Sequence, residues 1–242
     1  MGLESLLFIT SLIAGGVASV TGFGIGSLIT PVLSLSLGTK LAVAVVSIPH
    51  LIATAIRFFM LRSHVDKRIL LGFGLMSAFG GLVGALLHTA FATPAITLIF
   101  GGILLFAGFT GMTDLASRMR FHGKFAWFAG AVSGFLGGLV GNQGGIRSAA
   151  LLGSPITKES FVATATAIGL MVDLARMPVY FFSESEGIVS SSQWIGISTL
   201  GVVIGTLLGT RLLKKMPEKI FRRTVSALIF LLGAFMFYQG LN

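Results

Sequence analysis

The chain has 242 residues, 54% of them hydrophobic and 10% charged, with 33 glycines and a formal net charge of +9. Soluble domains carry about 25% charged residues and about 7% glycine, so this composition could not cover a water-facing surface, and disordered, collagen-like and coiled-coil chains are excluded with it. What remains is an all-α polytopic membrane protein, in which a basic balance reports loop orientation rather than contact with nucleic acid.

The N-terminus, Met1-Gly2-Leu3-Glu4, carries an acid in place of a basic n-region, so the first apolar stretch reads as part of the mature protein. Residues 5–36 are apolar but broken near the middle by glycines, which leaves two arms of about a dozen to sixteen residues. A helix rises 1.5 Å per residue and needs about 20 apolar residues to cross the hydrocarbon. Stretches 39–61, 69–90 and 93–113 meet that length. A second broken region, 125–153, follows the basic segment 114–124, and three more spans follow it at 158–182, 192–213 and 218–241.

Of the 17 Lys and Arg residues, 13 fall in four connections: 62–68, 114–124, 153–159 and 211–223. Connection 88–94 has none, and 183–193 holds only Glu184 and Glu186. The excess of cations on cytoplasmic loops then places the first four inside and the last two outside, with both termini outside. Under that parity each broken region enters and leaves on one face. A re-entrant helical hairpin satisfies this, and so do two thin crossings.

The chain also repeats itself. Gly22 and Gly141, Gly26 and Gly145, Ser47 and Thr166, and Arg57 and Arg176 are all separated by 119 residues. Residues 5–113 and 125–241 therefore read as two copies of one unit, each a broken hairpin plus three spans, with the second copy inverted by an odd number of crossings. Inverted repeats with interrupted helices at matching positions are a plan of secondary transporters, whose substrate sits where the breaks meet.

The first break reads Thr21-Gly22-Phe23-Gly24-Ile25-Gly26-Ser27, the second Gly141-Asn142-Gln143-Gly144-Gly145-Ile146-Arg147-Ser148. Glycine lets the backbone approach a ligand, and a restarting helix offers free N–H groups at its positive dipole end, a combination that favours an anion. Asn142 and Gln143 add amide donors and Arg147 a cation. Arg57 and Arg176 lie in apolar helices, where an arginine faces a cavity or a partner unless it snorkels to the interface. Asp173 stands three residues before Arg176, close enough for an intrahelical pair, and is otherwise a candidate proton or cation carrier. His50 is a second relay candidate, since histidine changes charge in the physiological range. Gly80, Gly84, Gly201, Gly205 and Gly209 recur every four residues and read as helix contacts. With no cysteine, and with His64, His88 and His122 scattered among connections, no metal site, catalytic constellation or nucleotide loop is expected.

The first break with its downstream Pro31, the Gly-rich break at 141–145, the halved layout and the length together resemble the TauE/SafE family, the sulfite-exporter-like permeases also known as TSUP. The resemblance runs from about residue 5 to 240. Ile25 stands where the family often places glycine, and Asn142-Gln143 is more polar than the usual run. The resemblance implies transport of small sulfur-containing anions such as sulfite, sulfoacetate or other organosulfonates. The expectation is a secondary permease of the bacterial inner membrane working by alternating access of one repeat against the other. Its substrate site is Gly22, Phe23, Gly24, Gly26, Gly141, Asn142, Gln143, Gly144, Gly145 and Arg147, with Arg57 and Arg176. Its partners are the bilayer, the anion and a coupling ion such as H+, with no cofactor, and it could assemble as a homo-oligomer. A channel-like anion pore and a membrane scaffold or assembly factor for sulfur metabolism are the alternatives.

Overall fold

The computed structural model describes residues 2–91, 94–113, 124–140 and 144–241, and the regular structure among them is helical. In chain order the helices are α1 (Leu3–Thr21), α2 (Ile25–Leu37), α3 (Thr39–Leu61), a 3-10 turn (Arg62–His64), α4 (Lys67–Ile69), a π-helical turn (Leu70–Gly74) and α5 (Leu75–Phe91). They continue with α6 (Pro94–Met112), α7 (Lys124–Val140), α8 (Gly144–Leu152), α9 (Lys158–Ser190), α10 (Ser192–Lys215) and α11 (Glu218–Leu241). Among the described residues, 6 helical runs are long and apolar enough to cross a bilayer: Leu3–Thr21, Lys40–His64, Lys67–Leu87, Lys158–Ser190, Ser192–Lys215 and Glu218–Leu241. Helices satisfy their own backbone groups in hydrocarbon, and these runs make the chain a multi-pass membrane protein.

Three elements differ from the sequence expectation. α1 has 19 residues and extends about 28 Å, longer than an arm of a dozen to sixteen. Its Gly15-Gly16 pair stays helical because both glycines face α10. Residues 183–190 of the expected connection 183–193 belong to α9, which runs 33 residues through a kink at Glu184 (φ −133, ψ 25). Two contacts with α3 hold this polar extension: Lys40 pairs with Glu184 at 2.6 Å, and Leu41 packs against Gly187. The span 69–90 contains the π turn, and its start is capped by Asp66, whose carboxylate accepts from the N–H groups of Arg68 and Ile69 at 2.9 and 3.0 Å.

Polar contacts sort the helix ends onto two faces. On one, Gln193 at the start of α10 donates to Glu4 at the start of α1 (2.7 Å), and Lys40, just past the end of α2, meets Glu184. On the other, the Asp66 N–H donates to Thr164 of α9, Lys158 to the Met216 carbonyl, and Arg222 to the carbonyls of Leu152 and Ile156. α1 thus begins, and α2 ends, on the first face. The basic connections 62–68, 153–159 and 211–219 share the second.

Three seams bring helices into backbone contact: α1 with α10, α5 with α7, and α6 with α11. Glycine makes each possible. A methyl at Gly209 would stand 2.6 Å from the Gly16 carbonyl oxygen, one at Gly138 2.5 Å from that of Gly81, and one at Gly101 2.5 Å from the Phe237 nitrogen. Gly80, Gly201 and Gly205 line the first two seams in the same way. Gly205→Val would press a branched side chain onto the Leu12 carbonyl. Overpacking of this kind costs about 1–3 kcal/mol, so a lower unfolding temperature in detergent is expected; unaltered melting would contradict a tight seam.

Candidate functional site

Each broken region brings polar groups to the middle of the helix bundle. α1 ends at Gly22 (φ +79), and the chain turns through Gly24 (φ +127) before α2 restarts. Both values lie in a region that only glycine enters freely. Thr21 holds the turn: its hydroxyl oxygen lies 2.9 Å from the Val17 carbonyl and 2.8 Å from the Phe23 carbonyl, and its one proton can be given to either. No side chain caps α2, so its first amides, those of Ile25, Gly26 and Ser27, have no partner within the helix.

The restart of the second broken region meets this turn. Phe23 lies against Gly144, the first residue of α8, so closely that a Cβ there would collide with the Phe23 side chain. Arg147 donates to the Gly22 carbonyl at 3.3 Å, and Ser148 to that of Thr21 at 3.3 Å. Around the meeting point is a cavity of about 30 Å³ lined by Phe23, Gly24, Gly26, Ser27, His50, Gly144, Arg147, Gly169, Asp173 and Arg176. That is room for a water or two, or for a compact ion.

α3 and α9, packed side by side, supply the ionisable groups. Asp173 takes two partners: His50 Nδ1 at 2.6 Å from one carboxylate oxygen and Arg176 Nη2 at 2.9 Å from the other. The intrahelical pair allowed by the i, i+3 spacing therefore forms, but it occupies one carboxylate oxygen only. The Arg176 guanidinium also lies over the Tyr180 ring, 5.6 Å from its centroid. Arg57 donates its Nε–H to Thr166 at 2.7 Å and is 1% exposed, so it does not snorkel.

Three buried guanidinium groups, Arg57, Arg147 and Arg176, thus share one buried carboxylate, Asp173. Taking charge out of water is expensive, and burial persists only where the charges are balanced and their donors paired. Among the described residues the cluster has more positive charge than Asp173 balances. Several of its donors find no hydrogen-bond partner there: Nη1 of Arg57, Nε of Arg147, and Nε and Nη1 of Arg176. The arrangement is complementary to a small anion.

Of the residues singled out from sequence, Phe23, Gly24, Gly26, Gly144, Arg147, Arg176, Asp173 and His50 line this cavity. Gly22 contributes its carbonyl to Arg147, and Arg57 does not line the cavity but donates to Thr166. Gly145 packs on Leu104 and Leu232 instead. Gly141, Asn142 and Gln143 lie outside the described residues. Sequence reasoning missed Gly169, where a Cβ would stand 3.1 Å from Arg147 Nη1, and Thr166, which entered only as a repeat match. The hydroxyl of Ser27, part of the first break, also lines the cavity and has no partner among the described residues.

A helical, multi-pass chain that breaks two of its helices around a buried cationic cluster has the build of a membrane permease. Comparison with family models agrees: residues 7–236 match the model described as Sulfite exporter TauE/SafE. The chain belongs to that family. Searches among curated proteins and among solved structures each returned no match.

Proposed function

We propose that the chain is a secondary permease for small sulfur-containing anions of the sulfite and organosulfonate class, bound where the two breaks meet and moved by alternating access. The observation that carries this reading is the surplus of buried guanidinium charge around the cavity. Arg147 is the central ligand, with Arg176 and the first amides of α2 completing the shell and Arg57 adding to its positive charge; Asn142 and Gln143, outside the described residues, are further candidate donors. The small cavity favours a compact head group such as sulfite over a bulkier sulfonate in this conformation.

The two halves, 5–113 and 125–241, are read as inverted repeats. Reciprocal packing supports this, since α1 of the first half lies on α10 of the second as α7 of the second lies on α5 of the first. The face with basic connections is taken as cytoplasmic and both termini as external in a bacterial inner membrane. Because the seams cross between halves, the bodies that rock are composites of both.

A thermal-shift screen across sulfite, sulfate, thiosulfate, taurine, sulfoacetate and simple carboxylates tests the reading. Saturating sulfite at about 100 times its dissociation constant should add about 2.7 kcal/mol, and a screen in which no anion stabilises the protein would overturn it. Saturable uptake driven by an ion gradient separates a permease from a pore.

For coupling, the pair His50–Asp173 is the proposed proton carrier. His50→Gln is expected to bind the anion as before but to lose the response of uptake to a proton gradient in proteoliposomes. A variant that responds like the parent would remove His50 from coupling.

A further inference from the structure

A second cavity takes no part in the site described above. It encloses about 480 Å³ and is walled by Asp66, Arg68, Phe73 of the π turn, Trp127 of α7, and Leu151 and Ser154 at the end of α8. Arg68 and Trp127 on its rim are exposed, and it lies on the face that carries the basic connections. The Asp66 carboxylate is committed to capping α4. Arg68 has no ion-pair partner among the described residues, so its exposed guanidinium stands free at the rim while the Asp66 carboxylate is turned to backbone amides.

The inner wall is thin. Phe73, 4% exposed, packs with Ile168 and Val172 of α9, both at 0%. Their chain neighbours Gly169 and Asp173 line the cavity between the breaks. α8 crosses the same gap, with Arg147 facing the inner cavity and Leu151 the outer one, about 6 Å apart along the helix axis. One layer of apolar side chains separates the two spaces. Phe73 belongs to the π turn Leu70–Gly74, a wider turn than the α-helix and one often found at functional sites. Glycines flank it: a Cβ at Gly72 would stand 3.2 Å from Trp127 Nε1, and one at Gly74 3.0 Å from Ile168. These glycines let Trp127 and Ile168 pack directly on the turn, and a Cβ at Gly130 of α7 would stand 2.3 Å from the Phe73 carbonyl oxygen, so the backbone is held close and any opening of the layer falls to the Phe73 side chain.

We infer that this cavity is the vestibule by which the anion passes between the basic face and the site, that Arg68 concentrates anions in it, and that Phe73, closing on Ile168 and Val172, is the gate. The inference rests on the anion-permease reading and adds the route and the barrier to it.

The chain contains no cysteine, so single-cysteine variants report one position each. In inside-out vesicles, Ser154→Cys should react readily with a membrane-impermeant anionic methanethiosulfonate. Adding Arg68→Gln should lower the ratio of its rates with anionic and cationic reagents by about fivefold at low salt. Ser27→Cys, behind the layer, should react slowly from this side, and at least about tenfold faster when Phe73→Ala opens it. If Phe73→Ala does not fold, Ile168→Ala thins the same layer from α9 and carries the same expectation. Labelling of Ser154→Cys by membrane-permeant reagents alone would overturn the vestibule. An unchanged Ser27→Cys rate in a folded Phe73→Ala or Ile168→Ala variant would overturn the gate. Labelling reads access without transport, so failure of anion binding in the thermal-shift screen would sink the permease reading separately.

Discussion

Arg147→Ala is expected to abolish sulfite binding and uptake while leaving a folded, membrane-inserted protein. Arg147 stands on α8 at the junction of the breaks, 4% exposed. Its one hydrogen bond to protein among the described residues is a long one, 3.3 Å to the Gly22 carbonyl. Losing so little to the protein, the variant keeps its helices; losing a charged, desolvated donor to the substrate, it forfeits about 2–5 kcal/mol. That is roughly a 30- to several-thousand-fold rise in the dissociation constant, read by thermal shift and isotherm. Arg147→Lys keeps the charge but not the planar fork, so it should fall between the two. Sulfite binding that survives in folded Arg147→Ala would take Arg147 out of the site.

The second large effect is expected at Asp173. This carboxylate serves His50 from α3 and Arg176 from its own helix, so Asp173→Asn strands a buried guanidinium beside two others. Breaking a buried pair from one side costs about 3–5 kcal/mol, which predicts a large drop in melting temperature and loss of proton-driven uptake. Anion affinity should hold or rise, because the cavity loses its negative charge. The double variant Asp173→Asn/Arg176→Gln removes the stranded charge and should recover most of the stability. A double variant as unstable as the single one would show that packing around Asp173, and not charge balance, is what the protein loses.

The spans were legible because hydrocarbon thickness imposes a length on any apolar helix, and the breaks because glycine clusters interrupt two apolar runs at one offset. The family was legible from the same layout. Gly22, Gly24 and Arg147 could be singled out for the same reason, since backbone turns and cations are conspicuous in apolar sequence. What escaped depends on tertiary partners. The polar run 183–190 looks like a connection, and it is helical because α3 supplies Lys40 and Leu41 to hold it. No periodicity distinguishes the π turn at 70–74 from the α-helix around it. His50 and Asp173 were each conspicuous as ionisable groups in apolar runs, but their pairing exists only once α3 and α9 pack together. Gly169 has the sequence surroundings of a packing glycine, and only the path of the Arg147 side chain reveals what it makes room for.

The seam between α1 and α10 has a consequence for how the protein is made. About 170 residues separate the end of one helix from the start of the other, which at 5–20 residues per second is roughly 10–30 s of synthesis. Through that interval α1 sits in the bilayer with the glycine face meant for α10 turned to lipid or to temporary neighbours. The same holds for α6, which waits for α11. All three seams join one half to the other, so the first half to be synthesised cannot complete its closest packing before the second arrives. Closure of these seams is thus a late event that locks both halves together.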